Sequence, residues 1–280
     1  MKPFVCAVLS VSLAAVLSGQ QREAVAVKPF KIVSNIYYVG TSDPTAFLIT
    51  TPAGHILLDT TYESTAPLVM DSVRALGFKL EDIEIILSSH AHLDHVGGHA
   101  ALKRATGAQV AAIAEDAVNL ESGGAKAFHR IGSFEPVAVE RRLKDGDTVT
   151  LGGVTLTAHR TAGHTEGNTA WTTTVVEDGK RLSVVFAPSM TINPGVRMAN
   201  YPPWPKIAEA YAAAFKLLRG LPCDVFLAPH AGFFALNAKM SKPRAAGAPN
   251  PFIDPDGYRA YLDDLEAKFV QQRRKDSEGF

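Results

Sequence analysis

Cysteine is nearly absent: the 280 residues hold two, Cys6 and Cys223. Cys6 falls in an N-terminal apolar segment that reads as removable, so the mature chain keeps one thiol and an internal disulfide is excluded. Such a chain must rely on its core and on any ligand that binds only its folded state. Cys223, in Leu221-Pro222-Cys223-Asp224, reads as a small buried residue before an apolar strand rather than a ligand or nucleophile. Net charge is also missing, because 28 Lys and Arg balance 28 Asp and Glu. No bulk field draws the protein to nucleic acid or to an anionic membrane. The longest apolar run, residues 4–17, is shorter than the ~20 residues a spanning helix needs. No low-complexity linker divides the chain, and the Gly/Pro/Ala-rich stretch 242–251 reads as a surface loop. A small-molecule substrate remains as the favoured partner, with no nucleic acid, no membrane after signal removal, and a monomeric chain.

What is present begins with a secretory pattern: Lys2, the apolar run, then Ser18-Gly19 before Gln20. Residues 1–19 are therefore expected to be a signal peptide, and 20–280 one mature domain in the periplasm or outside the cell. With 46% hydrophobic residues, that domain can build a core large enough to exclude water from a reaction site.

Short β signals at 36–40, 46–50 and 56–59, separated by turn residues, predict an antiparallel meander. Residues 64–76 have helical apolar spacing that stops at Gly77. The apolar run 83–87 reads as a buried strand whose carboxyl end delivers Ser88-Ser89-His90. A helix is predicted over 97–106 and a strand over 109–113. The Gly-rich stretch 119–136 reads as a long loop placed to act as a lid. A second meander is predicted from 148–151, 154–158, 169–176 and 182–186, then a helix over 205–218, a strand over 225–228 and a closing helix over 256–272. Both halves share a strands-then-helix order, which predicts an α/β sandwich: two mixed sheets face to face, helices outside, ligands arriving from loops along one edge.

The chemistry is concentrated in His90-Ala91-His92-Leu93-Asp94-His95-Val96-Gly97-Gly98, which holds four metal-capable side chains within six residues. In an extended segment residues two apart project to one side, so His90 and His92 can clamp one ion while the following turn aims Asp94 and His95 at another. Gly97-Gly98 is expected to let the backbone turn tightly into a helix. His164, in Ala162-Gly163-His164-Thr165, and His230, in Pro229-His230-Ala231-Gly232, follow β signals and suit the remaining ligands. Three imidazoles suit a catalytic zinc with an open position, and two histidines with a carboxylate suit a second. Two Zn2+ are therefore expected. His55 and His159 read as strand residues, His99 as part of the helix after the motif, and His129 as a loop residue.

The order His-x-His-x-Asp-His, Gly-His, His resembles the metallo-β-lactamase superfamily, and ligand for ligand it is similar to subclass B3 of the β-lactamases. Gly54-His55-Ile56-Leu57-Leu58-Asp59 and Gly247-Ala248-Pro249-Asn250-Pro251-Phe252 extend the likeness, which covers the chain from about Phe30 onward. The resemblance implies an αββα sandwich with the metals at the edge between the sheets. It implies hydrolysis of penicillins, cephalosporins and carbapenems by a hydroxide between two zinc ions, with Asp94 as catalytic residue and antibiotic resistance as the consequence. Glyoxalase II-like and lactonase relatives carry a bridging Asp about where Pro188 stands, and subclasses B1 and B2 use Cys near Ser189; this chain has neither. Ser189 and Thr191 are implied to hydrogen-bond the substrate carboxylate. Ala162, Glu166 and Val196-Arg197 depart from the family pattern. Two other readings stay open: a lactonase or thioesterase on the same fold, and a non-catalytic exported zinc-binding module.

Overall fold

Period-two alternation divides the apolar residues of the first strands between two cores. Ile56 and Leu58 belong to one cluster and Leu57, between them, to the other; Leu87 and Ile86 divide the same way. A strand buried on both faces must lie between two layers. A computed structural model describes residues 24–242 and 248–279, and the expected signal segment, with Cys6, lies outside them.

The first sheet is built from β1 (Phe30–Val33), β2 (Ile36–Tyr38), β3 (Phe47–Thr51), β4 (Gly54–Leu58), then α1 (Ala66–Ala75), β5 (Ile83–Leu87), α2 (Leu93–Val96), α3 (His99–Thr106), β6 (Gln109–Ile113), α4 (Ala114–Glu121) and β7 (Arg141–Leu143). The second follows as β8 (Thr148–Leu151), β9 (Val154–Arg160), β10 (Thr169–Glu177), β11 (Lys180–Phe186), α5 (Ile207–Arg219), β12 (Val225–Leu227), α6 (Leu236–Met240) and α7 (Pro255–Glu278). The seven-stranded sheet runs β1 to β7 in chain order, and the five-stranded one runs β12-β11-β10-β9-β8. Each begins as an antiparallel run and then adds a parallel strand after a helix, β5 beside β4 and β12 beside β11. The expected repetition of strands then helix is present, and both sheets are mixed. Helices α1, α3 and α4 cover the outer face of the first sheet through Val69, Val73, Leu102 and Leu120. Helices α5 and α7 pack together against the second, with Phe269 stacked on Tyr211.

Several elements differ from the sequence expectation. Strands β1 and β7 and helices α2, α4 and α6 had no predicted counterpart; β7 is three residues, two of them Arg, and carries no alternation to read. The helix expected over 97–106 is α3, which starts at His99, and a separate unpredicted turn, α2, precedes it from Leu93, so Asp94 and His95 ride on a helical turn. Helix α4 runs through Glu121, so the long loop begins at Ser122 rather than Asn119.

Gly97 and Gly98 serve close packing rather than a left-handed turn, since their φ values are −56° and −82°. A Cβ on Gly97 would lie 2.8 Å from the Glu63 amide nitrogen, and one on Gly98 would lie 2.6 Å from the Thr60 carbonyl. The loop after β4 thus passes directly against the metal-motif backbone. Gly98→Ala is expected to cost about 1–3 kcal/mol of folding stability through overpacking. Denaturant titration checks this, and an unchanged midpoint would show that the backbone yields freely.

Candidate metal centre

Strand β5 ends at the sheet edge and hands Ser88, Ser89 and His90 to the space between the layers. There His90, His92 and His164 form a nearly equilateral set, with ring centroids 4.8, 4.7 and 4.7 Å apart. Beside it Asp94 Oδ2 lies 3.2 Å from His95 Nε2 and 3.6 Å from His230 Nε2. The two ring nitrogens are themselves 3.2 Å apart. Within each set of three, all donor atoms fall within 4.8 Å of one another. The sets adjoin, with the His90 and His95 rings 4.2 Å apart. All six residues expected from the sequence as ligands are thus brought together.

Three of the five rings, those of His90, His164 and His230, are hydrogen-bonded from behind, which leaves the other nitrogen facing the cluster. Ser89 donates its hydroxyl to Asp59 Oδ2 at 2.6 Å and so accepts from His90 Nδ1 at 3.0 Å. His164 Nδ1 donates to the Thr191 carbonyl at 2.7 Å, fixing the tautomer whose Nε2 carries the lone pair. His230 Nδ1 lies 3.0 Å from Asp43 Oδ1, which also accepts from the Ala231 amide. Asp59 Oδ2 stands 3.3 Å from His95 Nδ1. Asp59 holds a left-handed backbone, φ 60°, at the end of β4. Its carboxylate compensates that strain by accepting from both the amide and the hydroxyl of Ser89.

Burial, reinforced by the neighbouring imidazoles, holds His90 and His92 well below the usual histidine pKa. Burial likewise brings His164 down to about 4 against the opposing pull of the Thr191 hydrogen bond. These three rings are therefore neutral ligands at physiological pH. At His95 burial also acts downward, but Asp94 and Asp59 outweigh it and raise the ring to about 10. Asp94, in spite of its own burial, is held below the usual carboxylate range by His95 and His230. The carboxylates of Asp94 and Asp59 thus set up a negative field at His95 that stabilises a cation there, whether a proton or a metal ion. His92 Nε2 is buried with no hydrogen-bond partner, although buried polar atoms are normally paired. An orphaned ring nitrogen, neutral imidazoles with oriented lone pairs and a carboxylate turned inward fit a pair of divalent ions, with nitrogen-rich donors suited to zinc.

The remaining expectations divide. Ser189 is wholly buried, its hydroxyl without a hydrogen-bond partner. Its carbonyl accepts from Asn168 Nδ2 at 2.8 Å, and the neighbouring Pro188 carbonyl accepts from the Tyr261 hydroxyl at 2.6 Å. These two carbonyls pin the loop on either side of the serine hydroxyl. Thr191 is half-buried, and its carbonyl holds both His164 and the Tyr211 hydroxyl. His55, His99 and His159 have the structural surroundings expected, against Phe78, Thr60 and Thr172. His129 lies half-buried in the loop after α4, whose Phe128 packs edge-on against Trp204. Glu166 fastens that loop by accepting from the Phe128 amide and the Asn119 side chain. Beside His230 a cleft of about 520 Å³ opens between Asp43, Pro44, Tyr62 and Asn237.

Sequence reading missed Asp43 as an anchor, treating it as turn material, and attached no role to Asp59 beyond the shared motif. Pairing of these carboxylates with histidines was the only available signal, and it appears once the chain is folded.

The sequence profile of the metallo-β-lactamase superfamily matches residues 39–230. Among solved structures, the native FEZ-1 metallo-β-lactamase of Legionella gormanii is 39% identical, with 91% of this chain and 99% of that one covered at a TM-score of 0.87. BJP-1, a subclass B3 metallo-β-lactamase of Bradyrhizobium japonicum, is 38% identical over 92% of this chain and 98% of that one, with a TM-score of 0.86. A curated relative, the hydroxyacylglutathione hydrolase of Rhodopseudomonas palustris, is 31% identical over 176 residues, 63% of this chain. The chain spans 57% of the length of that relative. The family match covers both ligand sets and the fold that positions them, and the chain belongs to the metallo-β-lactamase superfamily.

Proposed function

We propose that this chain is a two-zinc β-lactam hydrolase of the subclass B3 kind, exported to the periplasm or beyond and able to confer resistance to β-lactam antibiotics. The observation that carries the reading is the second ligand set, in which His95 joins Asp94 and His230 while Pro188 and Ser189 stand where other branches place an Asp or a Cys ligand. The likeness to FEZ-1 and BJP-1 along nearly the whole chain supports it.

In this reading His90, His92 and His164 hold one ion and Asp94, His95 and His230 the other, with three protein ligands each. Bound there, zinc would bring the pKa of a water toward neutrality and polarise the lactam carbonyl. Asp94 is ionised at neutral pH, so it can accept a hydrogen bond from the attacking water and take its proton. The water oxygen bonds to the carbonyl carbon, the C–N bond breaks, and the proton held by Asp94 passes to the leaving nitrogen. No protein side chain becomes acylated. In the same reading Thr191, half-buried in the loop that holds His164, would offer its hydroxyl to a substrate carboxylate.

A thioesterase on the same frame is the second reading, favoured by the hydroxyacylglutathione hydrolase relatives. Purified mature protein assayed with a penicillin, a cephalosporin, a carbapenem, a lactone and a glutathione thioester separates the two. We expect lactam turnover to exceed thioester and lactone turnover and to be lost on chelation and regained with zinc. Fast thioester cleavage beside slow lactam cleavage would reverse the order, and stoichiometric zinc without any hydrolysis would leave only a binding module.

A further inference from the structure

Three features outside the ligand sets carry chemistry: Cys223 beside a small pocket, a threonine-rich groove on the outer face of the second sheet, and the buried carboxylate of Asp116. Burial pushes the Cys223 thiol up to about 12, which removes it as a nucleophile, and no polar side chain of the groove is both buried and unpartnered. Asp116 is different. It lies on α4, is 1% exposed, and its carboxylate accepts three hydrogen bonds from outside its own helix.

Its Oδ2 accepts from the amide of Ala91 and from the Thr165 hydroxyl, both at 2.8 Å, and its Oδ1 accepts from the Gly167 amide at 2.9 Å. Ala91 is the residue between His90 and His92. Thr165 follows His164, and Gly167 lies two residues further on. One carboxylate therefore ties together the two loops that supply the three-imidazole set, which are separated by about seventy residues of chain. The fit is close: a Cβ on Gly167 would fall 2.7 Å from Asp116 Cβ. A carboxylate that is ionised at neutral pH has only acceptor capacity, and it meets three donors from two loops. Asp59, by contrast, stands between the sets, accepting from Ser89 beside His90 and lying 3.3 Å from His95 Nδ1, and its side chain has no hydrogen bond to the His164 loop.

We propose that Asp116 is a positioning residue that presets the three-histidine site for its metal by locking the His90-Ala91-His92 segment to the His164 loop. This rests on the metal-centre reading above. It predicts a loss confined to one site. Removing an outer partner of a metal ligand typically costs 10–100-fold in affinity, and Asp116 reaches only one of the two sets.

The test measures zinc affinity by competition with a chromophoric chelator in two backgrounds of the full mature chain. His230→Ala disables the second set, and His92→Ala disables the first. Adding Asp116→Asn is expected to weaken zinc binding by about 10–100-fold in the His230→Ala background and to leave it within about twofold in the His92→Ala background. Equal losses in both, or none in either, would overturn the proposal while zinc binding by the parent upheld the metal centre. Absence of zinc binding by the parent protein would instead overturn the metal-centre reading and this proposal with it. Circular dichroism follows folding throughout. If Asp116→Asn fails to fold, Thr165→Val, which deletes one donor and leaves the carboxylate in place, decides the matter by a smaller loss confined to the same background.

Discussion

Asp94→Asn is expected to lower kcat for a β-lactam by about 10²–10⁴ while the protein remains folded. Asparagine is nearly isosteric and keeps a carbonyl oxygen that can still face His95 and His230, which lie 3.2 and 3.6 Å from Asp94 Oδ2. It cannot take up a proton at neutral pH, whereas the Asp94 carboxyl is held ionised by its histidine neighbours. The loss should therefore fall on kcat more than on KM, because the proton moves in the transition state and not in ground-state binding. Zinc content measured on the same sample separates the two duties of the residue. Two zinc ions per chain with kcat reduced assigns the effect to proton transfer, and one zinc ion per chain assigns it to ligation. An unchanged kcat with both ions retained would remove Asp94 from the mechanism.

The ligands were legible in the sequence for a reason that does not extend to the residues behind them. Four metal-capable side chains in six positions are a local pattern, and His164 and His230 each follow a β signal at a loop start. Asp43, Asp59 and Asp116 are single carboxylates in a turn, at a strand end and on a helix. They reach partners 187, 30 and 49 residues away in sequence. No local pattern encodes such pairings. The same division holds in the fold. Strands β5 and β6 could be bounded to the residue because each is an apolar run between turn signals, while β7 is a short edge held by pairing with β6 alone. The loop around Ser189 is a further case: Asn168 and Tyr261 fasten the Ser189 and Pro188 carbonyls from other elements, and no local pattern announces either contact.

The contact between sheets bears most directly on stability. Trp171 on β10 is fully buried, and its indole Nε1 donates to the Ser88 carbonyl at 3.0 Å. It sits across from Phe186 and Ala158 in the second sheet and reaches the residue that leads out of β5 toward the first ligand. Trp171→Ala is expected to destabilise the fold by about 3–5 kcal/mol, the usual cost of emptying a buried aromatic site. Trp171→Phe should cost less, since it keeps most of the apolar contact but leaves the Ser88 carbonyl unpaired, a loss of about 1–3 kcal/mol. Both are read from denaturant unfolding, once with saturating zinc and once with chelator. On the two-zinc reading, zinc binding to the folded state should raise the stability of every variant. If Trp171 also sets the position of His90, that increment will shrink in both variants relative to the parent, because Ser88 is fixed to β10 through this hydrogen bond. A full zinc increment in Trp171→Phe would restrict the tryptophan to packing, and a loss under about 1 kcal/mol in Trp171→Ala would show that the sheets close the space by themselves.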